Sequence, residues 1–263
     1  MKKQNPIKMT AAFLAVALTF SGVTAKGGSD DKIIAGESVA VGSGTVSTWA
    51  RVNGGGKVIW VGLTIPLSMA ENPPLPGTGP AGAVAALNYP AVVQQTTYFN
   101  HAEIQFNDHG HATNPLYAQT NRYSAQHFDI HFHSIPVADV FAIPPGVFLT
   151  PAPAERVPIG WAQPEPRSVP QMGRHSGPLT EATATDLWQY TMISGFLPDA
   201  SYMHFIEPMV TREFLLRRET FTLPVPQPAV LGRATQYPTE CVALYDKDAD
   251  AFHIVFKGFE AIE

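Results

Sequence analysis

His127-Phe128-Asp129-Ile130-His131-Phe132-His133 alternates without interruption between polar and aromatic or aliphatic residues. Side chains of a β-strand point to opposite faces with period 2. Read as a strand, the stretch sends His127, Asp129, His131 and His133 to one face and Phe128, Ile130 and Phe132 to the other. One face is a column of metal ligands or proton carriers, and the other is core. Residues two apart on a strand stand about 6.5 Å apart, so two imidazoles can lean onto one ion between them.

The same period-2 logic extends outward. Thr96 to Asn107 reads as a second strand of this kind, with His101, Glu103, Gln105 and Asn107 on one face and Ala102, Ile104 and Phe106 on the other. Two neighbouring strands with polar faces can line one cavity, and a solvated face is the alternative. Thr45–Val52 and Lys57–Thr64 flank Asn53-Gly54-Gly55-Gly56, a hairpin signal. Leu187–Gly195 and Tyr202–Val210 flank Leu197-Pro198-Asp199-Ala200, and Thr239–Tyr245 and Ala251–Phe259 flank an acidic turn at 246–250. That turn lacks the Gly and the terminal Glu of a helix-loop-helix calcium site. Ala83–Leu87 and Val137–Ala142 read as short helical pieces, and Glu71–Gly82 and Pro144–Pro170 as Pro-rich and irregular. The sum is an all-β chain: a single antiparallel β-barrel or sandwich with long Pro/Gly-rich loops. Its domain spans residues 45–263, after a leader over 26–44.

The chain of 263 residues begins Met1-Lys2-Lys3, adds Lys8, runs apolar from Ala11 to Val23 and offers Val23-Thr24-Ala25. A basic start, a short apolar run and a small-residue site read as a signal peptide over residues 1–25. The expected location is periplasmic or secreted, with no membrane span after processing, since a span needs about 20 apolar residues. Removing 1–25 takes away three lysines and no acid. Lys plus Arg then falls from 17 to 14 against 22 acids, and the net charge moves from −5 to −8. That acidity argues against nucleic acid as a partner. The single cysteine, Cys241, cannot form an internal disulfide and sits in a strand-like run, as a small core residue does.

Six of the nine histidines, His101, His109, His111, His127, His131 and His133, fall within 33 residues. A catalytic metal site needs neutral imidazoles, often a carboxylate, and an open position. Besides the strand face, Asn107–His111, Gly173-Arg174-His175 and Phe205–Met209 offer candidates. Glu207 precedes a proline, which keeps it extended, as suits a carboxylate at a strand end. No nucleophile elbow, phosphate loop or dinucleotide fingerprint occurs in the chain.

Four ordered blocks carry a resemblance: Asn107 to Tyr117 with Gly110-His111, His127 to Phe132, Met172-Gly173-Arg174-His175, and Phe205 to Val210. They resemble a family of exported bacterial β-rich proteins of unknown function. Its core reads GH…Y…HFDfHFy, then MGxH, then FxEPM, and the likeness covers roughly residues 45–218. The resemblance implies an exported β-rich domain and no particular activity. His111, His127, Asp129, His131, His175 and Glu207 sit at its pattern positions. His133 stands where the pattern has an aromatic residue, and His101, His109, His204 and His253 fall outside it.

These readings select His127, His131, His175 and His111 as ligands of a divalent metal ion (zinc, iron or copper). Asp129 and Glu207 are the carboxylates for acid–base work, Asp129 also being placed to fix a ligand tautomer. The expectation is an exported protein with a His/carboxylate-lined cavity, metal-binding, acting as a hydrolase or lyase on a small molecule. A non-catalytic ligand-binding or structural envelope protein, its cluster a buried polar network, is the alternative. Whether the chain is an enzyme, and whether it forms a homo-oligomer, stays open at this level.

Overall fold

A computed structural model describes residues 30–110, 123–163 and 166–263. The signal-peptide reading of 1–25 lies outside the described residues, as does His111. In chain order the strands are β1 (Lys32–Val41), β2 (Gly44–Val52), β3 (Val58–Pro66), β4 (Ala85–Asn88), β5 (His101–Asn107), β6 (His127–His133), β7 (Trp161–Ala162), β8 (Arg174–Pro178), β9 (Tyr190–Phe196), β10 (Met203–Thr211), β11 (Phe221–Pro224), β12 (Thr235–Tyr237), β13 (Glu240–Asp246), β14 (Ala251–Lys257) and β15 (Glu260–Ile262). Helices are short, among them Val137–Phe141 where a helical turn was expected.

Two antiparallel sheets pack face to face. One has the order β1-β2-β3-β14-β13-β11 and the other β4-β5-β6-β10-β9-β8-β7; β12 and β15 form a separate pair. Neither sheet closes on itself, so of the two architectures expected from sequence the sandwich is the one formed. The core lies between the sheets. Ala102, Ile104, Phe128, Ile130 and Phe132 from the seven-stranded sheet meet Leu63, Ile254 and Phe256 from the six-stranded one. The Phe132 and Phe256 rings are 4.7 Å apart and nearly perpendicular, and Phe99 fills the space beside Phe256 at 4.9 Å. Such edge-to-face contacts are the favoured arrangement of the ring quadrupoles.

The three hairpins read from the turns are present as β2–β3, β9–β10 and β13–β14. Three local expectations are corrected. The strand read over Thr96–Asn107 begins at His101, because Thr96 closes the helix Ala91–Thr96. Ala83–Leu87 is not helical: Ala85–Asn88 is an edge strand paired with β5. Alanine favours helix alone, but here half of its neighbours bury on a sheet face and the pairing decides. Residues 32–41, expected to be leader, form β1 and pair with β2 through a bulge between Ala35 and Ser38. Nine of its ten residues are not buried, so no hydrophobic alternation marks it in sequence. Among the described residues no helix is long and apolar enough to cross a membrane.

Candidate metal centre

The apolar face of β6 faces the sandwich core, which leaves its polar face on the far side of the seven-stranded sheet. That face is nonetheless dry: His127, Asp129, His131 and His133 are all at most 2 % exposed. Segments outside the sheet lie against it. Trp188 packs edge-on to His127 at 4.9 Å, with Tyr123 beside it. The carbonyl of Met172 meets His204.

Register decides which polar groups meet. β5 pairs with β6 so that His101 lies opposite His133, Glu103 opposite His131, Gln105 opposite Asp129 and Asn107 opposite His127. On the other side of β6, β10 pairs Phe205 with His133 and Met209 with Asp129. The intervening residue Glu207 therefore stands beside His131. A register shift between Met203 and Phe205 in the pairing with β9 puts successive residues His204 and Phe205 on the polar face. Bulges re-aim side chains in this way. The result is a patch of imidazoles and carboxylates on adjacent strands.

Within it, Glu103 is the hub. Its Oε1 is 2.9 Å from His101 Nε2 and its Oε2 is 3.4 Å from His133 Nε2. The His101 and His133 rings stack at 4.7 Å. One ligand atom from each of His101, Glu103 and His133 lies within 4.8 Å of the other two, and all three side chains are buried. Two further pairs flank the group. His131 Nε2 is 3.3 Å from Glu207 Oε2. His127 Nε2 is 3.1 Å from Asp129 Oδ1, while His127 Nδ1 donates to the Ala125 carbonyl at 2.7 Å and Asn107 donates to the second Asp129 oxygen.

Electrostatics sorts these groups. Burial pushes the Glu103 carboxyl upward, but the attraction of His133 and hydrogen bonds from both histidines outweigh it and hold the pKa down at about 2. Burial presses His133 down to about 4, against the pull of Glu103. Burial also disfavours a charge on His131, yet Glu207, with Asp129 and Glu103 beyond it, raises that imidazole to about 9. His204 is depressed by burial and by the neighbouring His133. His131 thus holds a proton beside Glu207, whereas Glu103 stays anionic beside a neutral His133. A metal ion requires a ligand carboxylate to be anionic and a ligand imidazole to be neutral, as Glu103 and His133 are.

The structure divides the residues selected from sequence. His127 meets Asp129, and His131 meets Glu207, so both carboxylates chosen for acid–base work do touch imidazoles of β6. His175 is on β8, with β9 and β10 between it and β6. Among the described residues, the one group of three ligand atoms that draws together is His101, Glu103 and His133. His127, His131 and His175 form no such group, because each is held on a different strand row or by its own carboxylate. The alternation in 96–107 did place His101 and Glu103 on a polar face; the family pattern, which has no place for His101 and an aromatic residue at His133, pointed away from them. What single-strand periodicity lacks is the cross-strand register.

No family model matches the chain, and neither a curated protein nor a solved structure matches it.

Proposed function

We infer that this protein is an exported metal-binding protein whose ion is held by His101, Glu103 and His133. The observation that carries the reading is the meeting of two imidazoles and one carboxylate within 4.8 Å on buried side chains. Two histidines with one carboxylate form the ligand set of many catalytic zinc and non-haem iron sites, and three protein ligands leave a position for water. Zinc, iron and copper all accept imidazole, so the donor set defines a divalent transition metal as the class. Export is supported by the composition of residues 1–25.

The finer reading is a hydrolase or lyase acting on a small molecule. An ion in this position would lower the pKa of a bound water. The His131–Glu207 pair sits one row along the same face, with Glu207 as the carboxylate that would accept the proton. Asp129 would act at one remove, by orienting His127. The complete burial of the group favours a second reading, in which the same contacts pin strand register in a structural or ligand-binding envelope protein.

Elemental analysis separates them. Mature protein purified without chelators is expected to carry about one transition-metal ion per chain, and His133→Ala to carry none while retaining its β-sheet circular dichroism. A metal-free wild type, with His133→Ala destabilised to the same degree with and without chelator, would establish the network reading instead.

A further inference from the structure

The geometry points to His175 as the entry ligand, and Phe205 as the gate, through which a metal ion reaches His101, Glu103 and His133. The inference rests on the metal-binding reading above and concerns how that buried site is loaded. A row of residues crosses the polar face of the sheet at one level. His101 on β5 faces His133 on β6, His133 faces Phe205 on β10, Phe205 faces Gly195 on β9, and Gly195 faces His175 on β8. The row ends at its wet side with an imidazole. His101, His133 and Phe205 are essentially unexposed, whereas His175 is half-buried.

Phe205 stands in the middle of this row. Its ring centroid lies 5.4 Å from that of His133 and 5.8 Å from that of His175, with inclinations of 61° and 72°. The rings of His131 and His204 approach it too, at 5.1 Å and 4.9 Å. One benzyl group is therefore ringed by four imidazoles and separates the half-buried one from the three buried ones. The ring lies over the backbone of β9, and only a residue without Cβ lets it do so. A Cβ on Gly195 would be 2.0 Å from Phe205 Cε1.

The chemistry of transfer follows from these positions. A hydrated ion cannot pass an aromatic ring without giving up water, and each water lost must be replaced by a ligand. His175 supplies the first imidazole where solvent still reaches. A rotation of Phe205 about its χ angles would bring the ion within reach of His133, where a second imidazole and then the Glu103 carboxylate take over. His175 thus governs the rate of loading, and the resident ligands govern the affinity. Such a division is a gating role, separable from the equilibrium.

The test mixes metal-free protein with Co2+, whose visible absorbance reports ligation, and follows both the half-time of loading and the final titration midpoint. His175→Ala is expected to load at least about threefold more slowly, with the wild-type midpoint. Phe205→Leu, a conservative change that keeps this position apolar, is expected to load and release the ion faster. Loading of His175→Ala at the wild-type rate would overturn the inference. So would a midpoint weakened as far as that of His133→Ala, since His175 would then be a resident ligand. A folded wild type that takes up no Co2+ would instead remove the metal-binding reading, and this inference with it; that outcome is distinct from the first two, in which the wild type loads.

Discussion

Glu103→Gln is expected to lose its metal ion and a large part of its stability together. The carboxylate is the hub of the buried group and touches both imidazoles. With free ion at about 1,000 times its dissociation constant, binding to the folded state alone stabilises wild type by about 4 kcal/mol. The variant forfeits that share. Replacing the carboxylate also weakens its two charge-assisted hydrogen bonds to the imidazoles, at a further cost of ~1–3 kcal/mol. Urea unfolding of both proteins, with and without chelator, resolves the two contributions. The gap between wild type and variant should shrink by the ion-linked share when chelator is added and should not vanish. An identical gap in both conditions would mean that no ion contributes.

Phe132→Ala is expected to cost about 3–5 kcal/mol, the usual range for emptying a buried aromatic site. Phe132 is fully buried on the apolar face of β6 and joins the two sheets. It packs on Phe256 from the six-stranded sheet, on Phe99, and in parallel on Tyr89 at 6.4 Å. Because β6 also carries His131 and His133 on its other face, loosening this side of the strand loosens the row of ligands. The expected result is a lower urea midpoint with an unchanged m-value, and weaker metal binding in proportion. A loss below about 1 kcal/mol would mean that the sheets are held by something other than this aromatic contact.

Much of this was legible in the sequence, and the reasons are local. The alternation in 127–133 set His127, Asp129, His131 and His133 apart from Phe128, Ile130 and Phe132, and the structure keeps that division. The hairpin around Asn53–Gly56 was legible because few residues other than Asn and Gly supply such a turn. Strand β1 was not, since it lies on an edge with most side chains in solvent and carries no burial signal. Nor was His204 among the residues selected, because a register shift in β10 departs from the period of 2 that assigns faces. The identity of the converging trio was out of reach for a different reason. His101 and Glu103 come from one strand and His133 from another, and their meeting depends on how β5 is registered on β6, a non-local choice made by core residues such as Ile104 and Ile130. A family pattern matched on single strands could not supply that register.

The location of the ion tests the central claim most directly. Anomalous diffraction from crystals of the zinc-loaded protein, recorded on either side of the zinc edge, reports the metal position independently of any assumption about ligands. The account predicts one strong peak about 2.0–2.2 Å from a nitrogen of His101, an oxygen of Glu103 and a nitrogen of His133. A fully loaded crystal whose peak lies at His127 and Asp129, or at His131 and Glu207, with none at Glu103, would contradict it.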